Sequence, residues 1–534
     1  MDRRRPRSIW RCVAIATAPV VLFLVLTLLR LPSGAVIGTG QDEWYNVIRA
    51  LRALYEHLDP AYFIHPALYY ELLAFIYALD RVALSITGRL GSGVQFLDYF
   101  LGHEAQFLDL ARYVSVSCGA LAVAAAAWLG TLLAGASGGL LAGLIIASLP
   151  LLQTMATSIR VDTIGLATML VATALVVRRY QRPTMRSLLL AGGAIGIATA
   201  ANYPGALLLA LLAWIEWTRE GDDRPAQRAA ATLCACAVAL AVFLALDPYV
   251  LIDLADFVRW FSFQAGVAFA THPHGEEPNP AHYWELLRAQ GPPAVAACVA
   301  GVAAIGGVRK PTGAVGAFGS LYFAAFSVMR TQYDRFALPA LALLSIAGAS
   351  WLCAQAAKHF GARAAAACVL VAAPLIAWSA AANVMHHMGE PLNPDGDYRR
   401  EMLAWIVDNV PADATLVFES DTLPLLQTVY DPGTDDDDFH PALRRAFERL
   451  HPRLPKRIVK AQFIADVYNY DPKQLEEGPL FFLASSQNRA YITANRAGLA
   501  EPAAFYAALD ARARVVYETG GVHERLILYA AGAP

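Results

Sequence analysis

Long apolar runs recur along this chain, and no other feature of the sequence limits its fold as much. Each run is about as long as an α-helix needs to cross the roughly 30 Å of hydrocarbon in a bilayer. Hydrophobic residues make up 57% of the chain and charged residues 16%, whereas soluble domains are nearer a quarter charged. The sequence therefore predicts a mainly α-helical, polytopic membrane protein. The eleven candidate spans are 12–31, 111–134, 138–155, 162–177, 187–202, 204–218, 229–246, 292–308, 313–329, 336–355 and 362–384.

The basic residues between these runs predict the orientation of the chain. Short loops rich in arginine and lysine lie at 178–186, 219–228, 309–310 and 358–363. With eleven spans and the basic amino terminus in the cytoplasm, all four loops fall on the cytoplasmic side, as the positive-inside rule requires. We therefore expect a multi-pass protein of the bacterial inner membrane, with its amino terminus in the cytoplasm.

The composition changes near residue 389, where charged residues and prolines become more frequent. Thr415–Glu419 and Leu480–Ala484 have the pattern of strands, and Tyr398–Asn409 has that of a helix. A segment of this length is large enough to be a domain. The sequence thus predicts a transmembrane domain over 1–388 and a soluble, extracytoplasmic (periplasmic) α/β domain over 389–534.

The first outer segment, at about 32–110, is predicted to hold two helices in the membrane interface. From Trp44 to Leu58, apolar residues recur at steps of three and four, with charged residues opposite, which is typical of an amphipathic helix. A second, mostly apolar helix is expected at 67–79, after Pro66. It is short for a membrane span.

Two adjacent carboxylates, Asp42 and Glu43, precede the first of these helices. One interpretation is a helix cap, because Thr39-x-x-Asp42 has capping-box spacing and carboxylates are favoured at a helix amino terminus. The other is catalytic, because a carboxylate beside the membrane can take a proton from an acceptor hydroxyl. The two interpretations are compatible.

Asp162 is the second acidic residue of interest, since it lies just inside an apolar run and two residues after Arg160. Ionisable residues in such positions are more often functional than those at a span end. The sequence therefore predicts that Asp162 faces the same outer cavity as Asp42.

Several short motifs occur in one order along residues 10–390 and together resemble a known superfamily. The chain looks like the GT-C membrane glycosyltransferases, and most like the protein O-mannosyltransferase and aminoarabinose transferase family and its bacterial relatives. The motifs are Asp42-Glu43-x-Tyr45, His65-Pro66-x-Leu68-Tyr69-Tyr70, Ala111-Arg112, Ser158–Asp162, the glycine-rich run 192–203, Leu246–Asp253 and Arg335–Pro339. The chain departs from the family at His65 and Asn202, where many members have lysine.

The resemblance implies a GT-C-type helix bundle and the transfer of a sugar from a polyprenyl-phosphate donor, usually with inversion, outside the cytoplasm. The acceptor would offer a hydroxyl or phosphate on a glycan, a lipid or a protein of the cell envelope. Asp42 is the expected general base, and Glu43 or Asp162 would orient the acceptor or stabilise charge. Arg160, Arg335, Arg330 and His65 would bind the donor phosphate, although Arg330 and Arg335 also fit interfacial anchors. The residues expected at the acceptor or in a lid are Tyr45, Tyr69, His272 and His274.

Cofactor use stays open at this point. His272, His274 and Glu276 could bind a divalent metal together with His65 or Glu71, since imidazole and carboxylate suit zinc. The simpler interpretation is a polar loop over the site. Two other functions are also left open: a transporter or flippase of a lipid-linked sugar, and a non-catalytic, membrane-anchored binding protein. The net charge of −2 gives no reason to expect nucleic acid as a partner.

Overall fold

The computed structural model of the chain is mainly helical, with a smaller α/β part at its carboxyl end. The residues that it describes are 6–31, 41–56, 58–59, 63–91, 95–220, 224–269, 280–329, 333–389, 398–419, 422–430, 439–461, 463–464, 467–468, 470, 479–496, 499–520 and 525–532.

The helices before residue 390 follow one another with short connections. In chain order they are α1 Pro6–Leu28, α2 Gln41–Tyr55, α3 Leu68–Ile86, α4 Phe96–Gly102, α5 Glu104–Ala147, α6 Pro150–Ala156, α7 Asp162–Gln181, α8 Met185–Ala201, α9 Leu208–Thr218, α10 Pro225–Leu246, α11 Tyr249–Ile252, α12 Leu254–Phe269, α13 Pro280–Ala289, α14 Pro292–Ala303, α15 Pro311–Ser327, α16 Asp334–Phe360 and α17 Ala362–Gly389.

Local sequence signals set several of these helix starts. Prolines stand in the first turn of α6, α10, α14 and α15, where a missing N–H costs nothing and φ is already helical. α8 begins with a capping box, in which the Thr184 hydroxyl accepts a hydrogen bond from the Ser187 N–H. These signals fix where each apolar segment begins.

Within the described residues, five helices are long and apolar enough to cross a membrane, namely α5, α7, α10, α16 and the first 24 residues of α17. The helical segments Pro292–Gly307 and Pro311–Ser327, which include α14 and α15, meet at a bend of 119°. If they form one broken span, the described residues contain six helices that could cross a membrane. The chain is therefore a multi-pass membrane protein. The count of eleven spans is not settled by helix length and composition, and it stays a prediction.

α5 is a hairpin rather than one straight helix. Ala134 and Gly135 leave the helical conformation, and Gly135 has a φ of +73°, which glycine adopts at little cost. On either side of this break the two halves lie against each other, since a Cβ added at Gly130 would meet the Gly138 carbonyl oxygen at 2.7 Å. The chain therefore reverses where the sequence predicts the end of one span and the start of the next.

The first outer segment forms helices where they are expected, but α2 is covered by protein. Trp44, Val47, Ile48 and Leu51 on its apolar face are each no more than 3% exposed. They belong to one apolar cluster with α3, α4 and residues of the carboxyl-terminal part. Protein rather than lipid therefore covers this apolar face. The placement of α2 in the membrane interface stays a prediction.

The carboxyl-terminal part is an α/β unit around a five-stranded sheet of order β2-β1-β5-β7-β6. β1 pairs in parallel with β2 and β5, whereas β7 pairs antiparallel with β5 and β6. The predicted strand at Thr415–Glu419 and the predicted helix at Tyr398–Asn409 are both present. The elements are α18 Tyr398–Asn409, β1 Thr415–Glu419, α19 Pro424–Val429, α20 Phe439–Leu450, β2 Arg457–Ala461, β3 Phe463–Ile464, β4 Val467–Tyr468, β5 Leu480–Ser485, α21 Ser486–Ala494, α22 Ala500–Arg512, β6 Ala513–Gly520 and β7 Arg525–Ala531.

This unit packs on the first outer segment through polar as well as apolar contacts. Arg449 in α20 forms a 2.7 Å ion pair with Asp98 in α4. Gln427 in α19, which is fully buried, donates a hydrogen bond to the Tyr45 hydroxyl in α2. The α/β unit therefore reaches the helix that carries the first predicted site residues.

Candidate active site

Four separate segments of the chain line one cavity. They are α2, the turn that leads into α3, the turn between α6 and α7, and the start of α16. The lining residues are Tyr45, Asn46, His65, Tyr70, Arg160, Val161, Asp162 and Arg335. Five of these, Tyr45, His65, Arg160, Asp162 and Arg335, are residues that the sequence singles out.

Among the described residues, the cavity combines two guanidinium groups, from Arg160 and Arg335, with the imidazole of His65 and the carboxylate of Asp162. Tyr45, Tyr70 and Asn46 add hydroxyl and amide groups. Guanidinium groups are permanently charged and match the geometry of phosphate oxygens. The lining therefore suits an anionic group with hydrogen-bonding neighbours.

α2 holds the turn that carries Arg160 and Asp162. The Glu43 carboxylate accepts a hydrogen bond from the Ile159 N–H through Oε1 at 2.9 Å. The Asn46 amide donates to the carbonyl oxygen of the same residue at 2.6 Å. Both backbone polar groups of Ile159 are thus bound by side chains one turn apart on one helix, which fixes the turn against α2.

A buried ion pair anchors this arrangement to α5. Arg112 Nη2 lies 2.9 Å from Glu43 Oε2, and the two side chains are 0% and 3% exposed. Arg112 also forms a longer pair with Asp109, at 3.4 Å. Both Glu43 oxygens are engaged and Glu43 is not among the lining residues, so its contacts are those of a structural support. A catalytic role for Glu43 stays a prediction.

Arg335 lies against aromatic rings at the start of α16. Its guanidinium carbon is 4.4 Å from the centre of the Tyr333 ring and 5.7 Å from that of Phe336. Stacking of this kind orients a guanidinium group.

The structure places Tyr69 away from the cavity, although the sequence predicts it at the acceptor site. Its side chain is fully buried, and its hydroxyl lies 2.8 Å from Ser115 Oγ. Neighbouring positions of a helix point about 100° apart, so α3 turns Tyr70 toward the cavity and Tyr69 into the core. Tyr70 takes the place in the lining that was expected for Tyr69.

Four predicted site residues cannot be placed. The backbone of Asp42 lies in α2, but its side chain is outside the described residues, and Arg330, His272 and His274 lie outside them entirely. Within the described ranges, no group of three or more His, Cys, Asp or Glu side chains could hold a metal ion. The question of a divalent metal therefore stays open, since it rests on His272 and His274.

Asn46, Tyr70 and Val161 line the cavity but are not among the predicted site residues. The role of Arg112 is not predicted from the sequence either. Asn46 lies four positions after Asp42, which is a helical step, and this spacing is the one signal that could have drawn attention to it. Arg112 was noticed only as part of a motif. Its partner is 69 residues away in sequence, and no local pattern reveals such a pairing.

Comparison with known proteins agrees with this architecture. A family model described as dolichyl-phosphate-mannose-protein mannosyltransferase matches residues 108–246. No curated protein matches the chain. The fold is that of the GT-C superfamily of membrane glycosyltransferases, as the motifs predict.

Solved structures resemble the chain over nearly its whole length. ArnT from Cupriavidus metallidurans, bound to undecaprenyl phosphate, has a TM-score of 0.55 at 14% identity, covering 98% of this chain and 99% of ArnT. The same protein in the apo state has a TM-score of 0.56 at 15% identity, covering 97% and 100%. The Archaeoglobus fulgidus oligosaccharyltransferase, in complex with Zn and sulfate, has a TM-score of 0.53 at 12% identity, covering 91% of this chain and 70% of that protein.

Proposed function

We propose that this protein is a glycosyltransferase that moves a sugar from a polyprenyl-phosphate donor to an acceptor hydroxyl or phosphate. The observation that carries this proposal is the cavity in which Arg160, Arg335 and His65 meet beside Asp162. The similar fold of ArnT, solved with undecaprenyl phosphate, supports it. The alternatives of a flippase and a binding protein predict no consumption of donor.

The leaving group of such a reaction is an anionic lipid phosphate, and the cationic lining would bind it. Two guanidinium groups lie in the lining, and bidentate contacts from arginine are among the strongest that a phosphate makes. The cavity volume of about 40 Å³ has room for a small group of that kind. In this proposal the sugar and the acceptor lie at the open side of the cavity.

Asp42 is the proposed general base, and the reaction is proposed to invert the configuration at the anomeric carbon. Position 42 lies three and four residues before Tyr45 and Asn46, so the three positions share one face of α2. A carboxylate there would remove the proton from the acceptor as its oxygen attacks the sugar carbon. Asp162 would orient the acceptor, and Tyr45 would contact it.

The proposal includes a location for the reaction. Eleven spans with the amino terminus in the cytoplasm place the first outer segment and the α/β unit on the extracytoplasmic face of a bacterial inner membrane. The partners are then the polyprenyl-phosphate sugar, membrane lipids and an acceptor glycan, lipid or protein. The contact between Gln427 and Tyr45 gives the α/β unit a route to the acceptor side.

The test is a transfer assay in membranes that contain the full chain, with a panel of radiolabelled polyprenyl-phosphate hexoses and pentoses. We expect one donor to be consumed. Asp42→Asn should lower transfer by at least about a hundredfold, within the range of a positioned acid–base group, and Asp162→Asn by about a hundredfold, because the acceptor is no longer oriented. Asp253→Asn is the matched control, because Asp253 follows α11 and its side chain is partly exposed.

Each outcome of this assay has a distinct meaning. Full transfer by Asp42→Asn would show that Asp42 is not the base. If wild type consumes no donor, the glycosyltransferase proposal fails, and a flippase or a binding protein takes its place. The anomeric configuration of the product tests inversion, and a repeat of the assay with EDTA tests metal dependence.

A further inference from the structure

The turn that carries His65 is held at both of its ends by side chains from elsewhere in the chain. Before His65, the Phe63 carbonyl oxygen accepts a hydrogen bond from the Tyr203 hydroxyl at 3.1 Å. After His65, the Ala67 N–H donates to Asp247 Oδ2 at 3.2 Å. Phe63 and Ala67 are buried, so these contacts are shielded from water.

The two anchoring residues stand on a rigid base. Tyr203 follows α8, and Asp247 directly follows α10. These two helices pack very closely, since a Cβ added at Gly196 in α8 would lie 2.4 Å from the Ala239 carbonyl oxygen in α10. The distance between the two anchors is therefore fixed by helix packing.

Aromatic rings strengthen the first contact. The Phe257 ring from α12 lies 5.8 Å from the Phe63 ring and 6.1 Å from the Tyr203 ring, both in edge-to-face arrangements. Such pairs add stability beyond the apolar area that they bury. The turn is thus fixed by packing on one side and by a carboxylate on the other.

Burial of the Asp247 carboxylate is unfavourable, and the carboxylate binds only one backbone N–H, that of Ala67, among the described residues. Its side chain is fully buried, and within the described residues its Oδ1 has no hydrogen-bond partner. Glu71 in α3 lies near enough for the two carboxylates to repel each other. Buried carboxylates without full hydrogen bonding lower stability, so a role beyond packing is needed to explain this one.

We propose that Asp247 and Tyr203 are positioning residues that set His65 in the donor-phosphate site. This inference rests on the function proposed above and names two residues that act through His65 rather than on the substrate. Displacement of a binding group by about 1 Å can lower a reaction rate by about a hundredfold. Two anchors that flank the imidazole prevent such a displacement.

The test compares Asp247→Ala, Asp247→Asn and Tyr203→Phe in the donor-transfer assay, each with and without His65→Ala. Asp247→Ala is expected to lower kcat/KM for the donor by about tenfold. Asp247→Asn keeps an acceptor oxygen for the Ala67 N–H and is expected to stay within about threefold of wild type. Tyr203→Phe removes one hydroxyl and is expected to cost about threefold to fivefold, which corresponds to a single neutral hydrogen bond.

The His65→Ala background distinguishes positioning from general stability. If Asp247 and Tyr203 act through His65, their substitution lowers transfer no further once His65 is alanine. If the losses multiply, the two residues have a structural role only and the proposal is wrong. Transfer by Asp247→Ala equal to wild type would also overturn it. Asp408→Ala serves as the control, because its side chain is exposed on α18. Tyr203→Phe keeps the test decisive if Asp247→Ala does not fold.

A second measurement separates this inference from the proposed function. Diethyl pyrocarbonate modification of His65, followed by mass spectrometry of its peptide, needs no substrate. Asp247→Ala and Tyr203→Phe should change the modification rate at His65 by at least about threefold, because the turn loosens. An unchanged rate overturns the positioning role even if transfer is observed. A changed rate in a protein that transfers no sugar would leave the positioning intact and refute the proposed function.

Discussion

Two turns deliver basic side chains to the same cavity, Arg160 and His65, and the two turns are held in place in different ways. The turn with Arg160 is bound by Glu43 and Asn46 on α2, and the Glu43 carboxylate is paired with the buried guanidinium of Arg112. The turn with His65 is bound by Tyr203 and by Asp247. Among the described residues, Asp247 has no ion-pair partner that corresponds to Arg112.

This difference predicts two kinds of behaviour. A buried ion pair is very sensitive to the loss of one partner, because the remaining charge is stranded in a medium of low polarity. A buried carboxylate without a counter-charge is instead sensitive to pH, since protonation relieves its unfavourable burial. The turn with Arg160 should therefore lose stability when one partner of its ion pair is removed, whereas the stability of the turn with His65 should vary with pH.

The largest expected effect comes from breaking the ion pair. Arg112→Met should leave Glu43 charged, buried and unpaired, and should lower the free energy of unfolding by about 3–5 kcal/mol. Thermal unfolding of the detergent-solubilised protein measures this change.

The double variant Glu43→Gln/Arg112→Met supplies the control for that prediction. It removes both charges and keeps a side-chain oxygen that can accept from the Ile159 N–H. We expect it to recover more than half of the lost stability. If the double variant is as unstable as Arg112→Met alone, the ion pair is not the source of the effect.

The second prediction concerns pH. Burial raises the pKa of Asp247 to about 6, and burial together with the charge of Asp247 raises the pKa of Glu71 to about 7. Carboxyl groups with a raised pKa stabilise the folded state fully at pH below about 4, and this contribution is lost as pH rises through about 6 to 7. The shift at Asp247 corresponds to about 3 kcal/mol.

Asp247→Asn should therefore flatten the fall in melting temperature between pH 4 and pH 8. Burial also raises the pKa of Glu419 in the α/β unit to about 6, so wild type and variant share that part of the profile. The informative quantity is the difference between the two profiles. Parallel profiles across this pH range would show that Asp247 does not contribute to the fall in melting temperature.

A smaller effect is expected from Asn46→Ala, which leaves the Ile159 carbonyl oxygen unbound. The loss should cost about 1–2 kcal/mol in stability and lower transfer about tenfold, because Arg160 and Asp162 are displaced. Asn409→Ala is the control, since Asn409 also donates to a carbonyl oxygen but is exposed in the α/β unit. Equal transfer by the two variants would show that the turn does not depend on Asn46.

The smallest expected effect tests the contact between the two parts of the chain. Gln427→Ala removes the donor to the Tyr45 hydroxyl, and should cost about 1 kcal/mol in stability. In a Tyr45→Phe background the same substitution should cost clearly less, because the partner is already absent. Identical costs in both backgrounds would mean that the contact adds nothing to stability.

Much of this site could be predicted from sequence because its residues occur where apolar periodicity meets charge. Asp162 and Arg160 stand at the start of an apolar run, Arg335 stands at another, and His65 precedes a proline that starts a helix. Each of these positions has a local signal. The strand Thr415–Glu419 was equally accessible, since its short continuous apolar run is a local signal.

The supports of the site could not be predicted in this way. The contact between Asp247 and Ala67 joins residues 180 positions apart, and that between Tyr203 and Phe63 joins residues 140 apart. Which side chains meet depends on how α8 and α10 pack, and periodicity within either helix does not encode this. The burial of α2 was missed for the same reason, because the protein that covers it includes the distant α/β unit.

Binding of undecaprenyl phosphate to the purified full chain would show whether the cavity holds the phosphate of a lipid-linked donor. Native mass spectrometry would compare wild type with Arg160→Met/Arg335→Met, and with Arg259→Met as an exposed control on α12. We expect the double variant to bind at least about tenfold more weakly, since it loses two charged phosphate contacts, and the control to bind like wild type. Equal binding by all three proteins would contradict this expectation.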